Sequence, residues 1–389
     1  MPSRSRPMLP SRVLPSGHIP SLDGIRAVCV ALVIGSHVPH SEDYSEGLKR
    51  AMAHVFNGNL GVTVFFVLSG FLITYLLARE EGKTGTVSLK NFYIRRFVRI
   101  LPVYLAYLAV VALLDVATGL VVRPEQYASA LTYTVNFVPG TWITGHLWSL
   151  SVEEQFYLIW PLVIGLFAYR ARWRVAFALL ALAPVFRVGS YLLGARSGVE
   201  YASFLSRYSF MANMDSLMIG CVAGLLMYTY RDQTLRFLER WTVAGRFLAA
   251  AAIYSIWMLR LNFLLAPITV SIGATIQSAA AAYLILSYGF VRRGAVYSVL
   301  NKPVVRYVGL LSYSLYIWQQ PFFNAPSSYG IESSLLLQFP FNVVGAFALA
   351  ALSYHALEMP FLALRKRFRT GTTATPPIGP PARLTVRTG

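Results

Sequence analysis

The chain has 389 residues, of which 56% are hydrophobic and only 13% charged, and it carries a net charge of +18. Soluble domains carry about 25% charged residues, so this balance excludes an ordinary soluble protein. The basic excess does not mark a nucleic-acid binder either. Lys and Arg gather at alternate ends of apolar runs of membrane-spanning length, and no DNA or RNA module is recognisable.

In chain order, residues 1–20 are rich in Pro, Ser and Arg and are expected to form a disordered tail. The transmembrane part is expected over 21–369. Its spans fall at about 21–39, 59–78, 100–120, 147–168, 174–194, 208–229, 243–260, 262–290, 306–324 and 334–357. Arg260 and Asn262 are the only polar break between the seventh and eighth, and the long run 262–290 is expected to tilt or break near Pro267. Residues 370–389, rich in Thr, Pro and Gly, are expected to form a second disordered tail. The first apolar run lacks a small-residue cleavage site, so it is expected to stay as an anchor, and no soluble domain is expected at either end. With the N-terminus placed in the cytoplasm, 26 of the 34 Lys and Arg lie on inner segments and six on outer loops. That bias predicts an even number of spans and both termini in the cytoplasm. The expected fold is therefore all-α, a polytopic transmembrane helix bundle of about ten spans. Cys29 and Cys221 fall inside apolar runs and give neither a disulfide framework nor a zinc spacing.

Ionisable groups inside spans are costly, so each is a candidate for function. In the first span, Asp23 and Arg26 are three residues apart and share a face. Arg26 and His37 are eleven apart, nearly three full turns, so His37 joins that face roughly 16 Å further along the axis. One stripe thus carries an acid, a cation and, near the outer end, an imidazole that titrates near neutrality and suits a general base. No second His or Cys stands at ligand spacing in the span, so no metal is expected. Arg95, Arg96 and Arg99 follow at the inner lip of the third span, where guanidinium forks suit either lipid headgroups or a phosphorylated ligand.

The fourth span opens with "GHLWSLSVEEQFYLIWP" (145–161). Ser151 and Glu154 fit a capping box, which gives Glu154 a helix-start role. Glu153 shares the other face with Phe156, Tyr157 and Trp160 and is expected to point into the bundle. There it, or Asp23, would orient His37 and stabilise its protonated form. Asp215, mid-span, is expected to sit in a structural ion pair with Arg207 at hand. Gln319 and Gln320 are expected to form interhelical hydrogen bonds, and Glu358 to pair with an arginine at the inner end.

Five segments in this order, "SLDGIRAVCVALVIGSH", "GVTVFFVLSGFLITYLL", "FYIRRFVRILPVY", "HLWSLSVEEQFYLIWP" and "LSYSLYIWQQP", resemble the acyltransferase-3 membrane family over about 20–360. The resemblance implies a bacterial inner-membrane enzyme with ten core spans. It would move an acyl group, usually acetyl, from cytoplasmic acyl-CoA to a hydroxyl of a carbohydrate, lipid-linked sugar or secondary metabolite, with no tightly bound cofactor. The family's arginine–ten residues–histidine motif falls on Arg26 and His37, its paired arginines on Arg96 and Arg99, and its serine–carboxylate segment on Ser149 to Glu154. Arg26, Arg96 and Arg99 are then expected to hold the CoA phosphates, and His37 to act as the base. Trp148, Glu154, Tyr316, Trp318 and Gln319 are expected to contact the acceptor. Where many members carry histidine after the tryptophan, this chain has Gln319, which cannot transfer a proton at neutral pH. Members that pass the acyl group to a fused esterase-like domain are not expected to be a model for this chain. A transporter or flippase using the same polar stripe is the competing reading. It predicts matching broken helices in two halves, and no such repeat is visible.

Overall fold

A computed structural model describes residues 19–40, 44–197, 200–260 and 269–365. The expected tails, apart from Ile19 and Pro20, and the break at Asn262 and Pro267 lie outside the described residues. Helices and no strands form among the described residues. They are α1 (Pro20–His37), α2 (Glu46–Val55), α3 (Gly58–Thr84), α4 (Leu89–Ala117), α5 (Leu147–Leu166), α6 (Tyr169–Ser197), α7 (Glu200–Tyr208), α8 (Phe210–Thr229), α9 (Thr242–Arg260), α10 (Ala274–Phe290), α11 (Pro303–Leu310), α12 (Ser312–Trp318) and α13 (Phe341–Ser353), with shorter helices between and after them.

Seven helices among the described residues are long and apolar enough to cross a membrane: Pro20–His40, Gly58–Thr84, Leu89–Ala117, Tyr169–Gly194, Glu200–Thr229, Thr242–Leu259 and Phe341–Leu364. The other three expected spans coincide with helices that the same measure passes over. α5 carries Glu153, Glu154 and Gln155 in a 20-residue helix, which dilutes its apolar character. α10 extends a π-helical turn, Thr269–Gly273, and the ninth expected span is broken at Leu311 into α11 and α12.

Helix ends follow local chemistry. Asn57 accepts from the Leu60 amide to start α3, which ends on Gly85 in a left-handed conformation at φ 78°. Ser88 caps α4 and Ser209 caps α8. Helices approach closely where side chains are absent. A Cβ on Gly70 of α3 would overlap the Leu217 carbonyl of α8, and one on Gly220 would overlap the Val67 carbonyl in return. Small residues let apolar helices interlock in this way when no hydrophobic effect drives them together. Between α6, α8 and α10, Arg187 forms a buried pair with Asp215 at 2.7 Å and also donates to the carbonyls of Ala212 and Ser271. Thr275 Oγ1 donates to the same carboxylate. The cation for Asp215 is thus Arg187 rather than the expected Arg207, and every partner needed to neutralise the charge is present, which makes the pair structural.

Candidate active site

α1 supplies the backbone of the site. Ile19, Leu22, Asp23 and Arg26 line one cavity, and Val33, Ser36 and His37 line another. Steps of three and four residues keep all of them on one stripe of the helix. Asp23 and Arg26 pair as expected from their spacing, with Nη1 to Oδ1 at 3.3 Å.

The first cavity measures about 360 Å³ and is lined by four arginines, Arg26, Arg79, Arg96 and Arg99, and by Asp23, Glu153 and Glu358. The Arg96 guanidinium lies over the Tyr157 ring, 4.7 Å from its centroid, an arrangement that favours the cation. Among the described residues, no carboxylate stands at ion-pair distance from Arg96 or Arg99. The acids are held by hydroxyls instead. Glu153 accepts from Ser69 Oγ at 2.6 Å, Ser69 accepts from the Tyr157 hydroxyl at 3.1 Å, and Glu358 accepts from Ser314 at 3.1 Å. The guanidinium forks therefore keep donors for a phosphate or another anion. Arg95 does not share this cavity and pairs with Glu80 at 3.2 Å.

The second cavity, about 800 Å³, lies at the opposite end of α1. His37 Nδ1 stands 3.2 Å from Gln319 Oε1. An amide oxygen only accepts, so Nδ1 carries the proton in this arrangement and Nε2 keeps its lone pair. The imidazole packs edge-to-face on Trp142 at 5.1 Å, and Trp142 in turn faces His40 at 4.3 Å. Trp142 Nε1 donates to the Gln320 carbonyl and the Gln320 amide donates to the Trp142 carbonyl, locking the indole to the end of α12. Trp148, Phe204 and Tyr208 add further aromatic wall. The two cavities share two residues, Val62 and Tyr316. The Tyr316 hydroxyl is fixed in that partition. It donates to the His146 carbonyl at 2.8 Å and lies 2.6 Å from Ser149 Oγ.

Several expected positions are corrected. Neither Glu153 nor Asp23 serves as the partner of His37. Asp23 lies 14 residues back, roughly 21 Å along the helix, and Glu153 faces the arginine cavity. Glu154 is not a helix-start residue. α5 begins at Leu147, so Ser151 sits inside the helix and returns its hydroxyl to the Leu147 carbonyl at 3.1 Å. Of the expected acceptor contacts, Trp148 lines the second cavity and Tyr316 lines both, whereas Glu154, Trp318 and Gln319 line neither. Trp318 is buried against Tyr107, and Gln319 is spent on His37. Glu358 takes Ser314 as its hydrogen-bond partner, with Arg99 and Arg26 as neighbouring cations.

Sequence reading missed Ser69, Arg79, Trp142 and His146. A serine in an apolar run and an arginine at a helix end carry no signal of their own. His146 is buried beside Tyr107 and Tyr316 where the sequence reads as a loop edge. Among the described residues, no group of three or more His, Cys, Asp or Glu is placed to hold a metal ion.

A family model described as an acyltransferase domain matches residues 19–355. OatA of Listeria monocytogenes, named a peptidoglycan O-acetyltransferase, is 26% identical over 379 residues, covering 88% of this chain and 56% of OatA. YrhL of Bacillus subtilis, provisionally named a peptidoglycan O-acetyltransferase, is 29% identical over 377 residues, covering 88% of this chain and 55% of YrhL. A provisionally named O-acetyltransferase of Staphylococcus aureus (strain COL) is 26% identical over 382 residues, covering 88% of this chain and 57% of its own. The chain thus spans little more than half the length of these relatives. No solved structure matches.

Proposed function

The chain belongs to the acyltransferase-3 family of membrane acyltransferases, and from that premise we propose that it moves an acetyl group from acetyl-CoA to a hydroxyl of a carbohydrate acceptor. The observation that carries this reading is the single stripe of α1. It places Arg26 in one cavity, where Arg79 of α3 and Arg96 and Arg99 of α4 join it, and the His37 imidazole in the other, and the two cavities meet at Tyr316. Arg26, Arg96 and Arg99, with Arg79, hold the phosphates of the donor, and the pantetheine arm reaches towards the Tyr316 partition. His37 Nε2 takes the proton of the acceptor hydroxyl as that oxygen bonds to the thioester carbon. The C–S bond breaks and the CoA thiolate leaves towards the arginines. Direct transfer and an acetyl-imidazole intermediate both pass through His37. Gln319 keeps the proton on Nδ1, which leaves the reactive lone pair on the other nitrogen.

The acceptor class is supported by the aromatic wall of Trp142, Trp148 and Tyr208, since flat aromatic faces suit the C–H faces of sugar rings. It is also supported by the names of the peptidoglycan O-acetyltransferase relatives. The charge bias supports a bundle of about ten spans with both termini inside, the arginine cavity at the cytoplasmic face and the His37 cavity at the outer face, and the family resemblance favours a bacterial inner membrane.

Purified protein given radiolabelled acetyl-CoA in lipid nanodiscs tests the reading. Release of CoA with label in an ester product is expected, and His37→Ala is expected to abolish both without lowering the yield of monodisperse protein. Full transfer by the variant would remove His37 from the chemistry. Solute flux through proteoliposomes without any CoA release would favour a transporter.

A further inference from the structure

A third cavity, of about 340 Å³, lies on the neighbouring face of α1 and no step above uses it. Ile34 of α1, Val38 in the turn that follows it, Met52 of α2 and Val343 and Phe347 of α13 form its walls, and no charged side chain lines it. Ala31, Leu48 and Phe339 at its rim are exposed, so it opens to the surface of the bundle. Phe56 lines this groove and the His37 cavity alike. Its ring rests on Gly35, where a Cβ would overlap the ring atoms, so a residue without a side chain is what lets Phe56 stand between the two spaces. Phe56 belongs to the short link between α2 and α3, two elements held by their own caps: its amide closes α2 on the Met52 carbonyl, and Asn57 starts α3.

We propose that this groove takes the apolar chain of a lipid-linked acceptor, whose sugar head group enters the His37 cavity past Phe56. The inference rests on the O-acyltransfer reading and narrows its acceptor. One aromatic residue separates a wholly apolar space that opens towards lipid from an aromatic cavity that holds the base. An amphiphile with a hydrocarbon chain and a sugar head matches both spaces at once. A water-soluble sugar would leave the groove unused, and a phospholipid tail would have no need of a shared wall with the imidazole cavity. Entry from the side also spares the chain a passage through water, where exposure of its apolar surface is costly.

Two photoreactive probes in nanodiscs test this: an alkyl maltoside and a phosphatidylcholine, each with a diazirine in the hydrocarbon chain and each at the same mole fraction. Peptide mapping is expected to find the maltoside on the Met52, Val343 and Phe347 segments at least about fivefold over phosphatidylcholine, a preference of roughly 1 kcal/mol. Equal labelling by both probes would assign the groove to bulk lipid and overturn the proposal, and this arm needs no variant. In the second arm, Val343→Trp fills the groove. Acetyl transfer to alkyl maltoside is expected to fall at least about tenfold, with transfer to free maltose unchanged. An equal fall for both acceptors would also overturn the proposal. Absence of transfer to either acceptor by the unmodified protein would count against the O-acyltransfer reading, and the labelling arm would still decide the groove.

Discussion

Gln319 does for His37 what a carboxylate does in many acid–base sites: its oxygen accepts from Nδ1–H and fixes the tautomer. The amide lacks the charge that would stabilise an imidazolium, so in the proposed reaction His37 would gain orientation but no charge from this side. Gln319→Leu removes the acceptor and leaves a part-buried N–H without that partner, a cost of up to about 1–3 kcal/mol. The expected result is a fall in kcat of roughly 10- to 100-fold with the KM for acetyl-CoA unchanged, read by steady-state kinetics. An unchanged kcat would make the contact incidental. Residue spacing within α1 was legible because one helix fixes it: Asp23, Arg26 and His37 fall on one stripe as periodicity requires. The partners across helices were not legible. Gln319 is 282 residues from His37 and Ser69 is 84 from Glu153, and no local pattern carries such pairings.

α5 illustrates how an element misleads when its start is misjudged by one turn. The serine and glutamate that resemble a cap lie inside the helix, where Ser151 bonds back to Leu147, and the turn before it, Trp142–Gly145, carries the indole that braces His37. The same helix meets α12 at the Tyr316 partition through Ser149. Tyr316→Ala opens that partition and admits water from the larger cavity to the thioester, since closure is what protects a reactive acyl group from hydrolysis. The ratio of acetyl-CoA hydrolysis to ester formation is expected to rise about tenfold in this variant. In Tyr316→Phe, which keeps the ring, the ratio is expected to stay near that of the unmodified protein. Unchanged ratios in both would show that the two cavities communicate elsewhere. Between α6 and α8, Asp215→Ala strands the buried Arg187 and is expected to cost about 3–5 kcal/mol. A lowered thermal midpoint in detergent with an unaltered KM for acetyl-CoA checks the structural assignment, and a changed KM at unaltered stability would move this pair into the site.

Across the whole molecule, composition and periodicity were enough to read a helical membrane protein, because a chain in lipid must satisfy its backbone within each segment. The span count was harder to read, since Glu153, Glu154 and Gln155 in α5 and the break at Leu311 weaken the apolar signal around the candidate site. The sidedness proposed from the charge bias is open to direct measurement. Cys29 and Cys221 are buried, so single exposed cysteines can be introduced into an otherwise silent chain. Ser327→Cys, in the link before α13, is expected to react with a membrane-impermeant maleimide in intact cells, and Thr86→Cys, between α3 and α4, only after lysis. The reverse pattern would invert the bundle.

In the proposed reaction an acetyl group enters at the arginine cavity and leaves at His37 on the other face. Inverted membrane vesicles from bacteria producing the protein present the cytoplasmic face outwards, so radiolabelled acetyl-CoA can be supplied to that face alone. Alkali-labile label is expected on lumenal acceptors and is expected to be lost in His37→Ala. Label confined to products on the donor side, or lumenal label that survives His37→Ala, would contradict it.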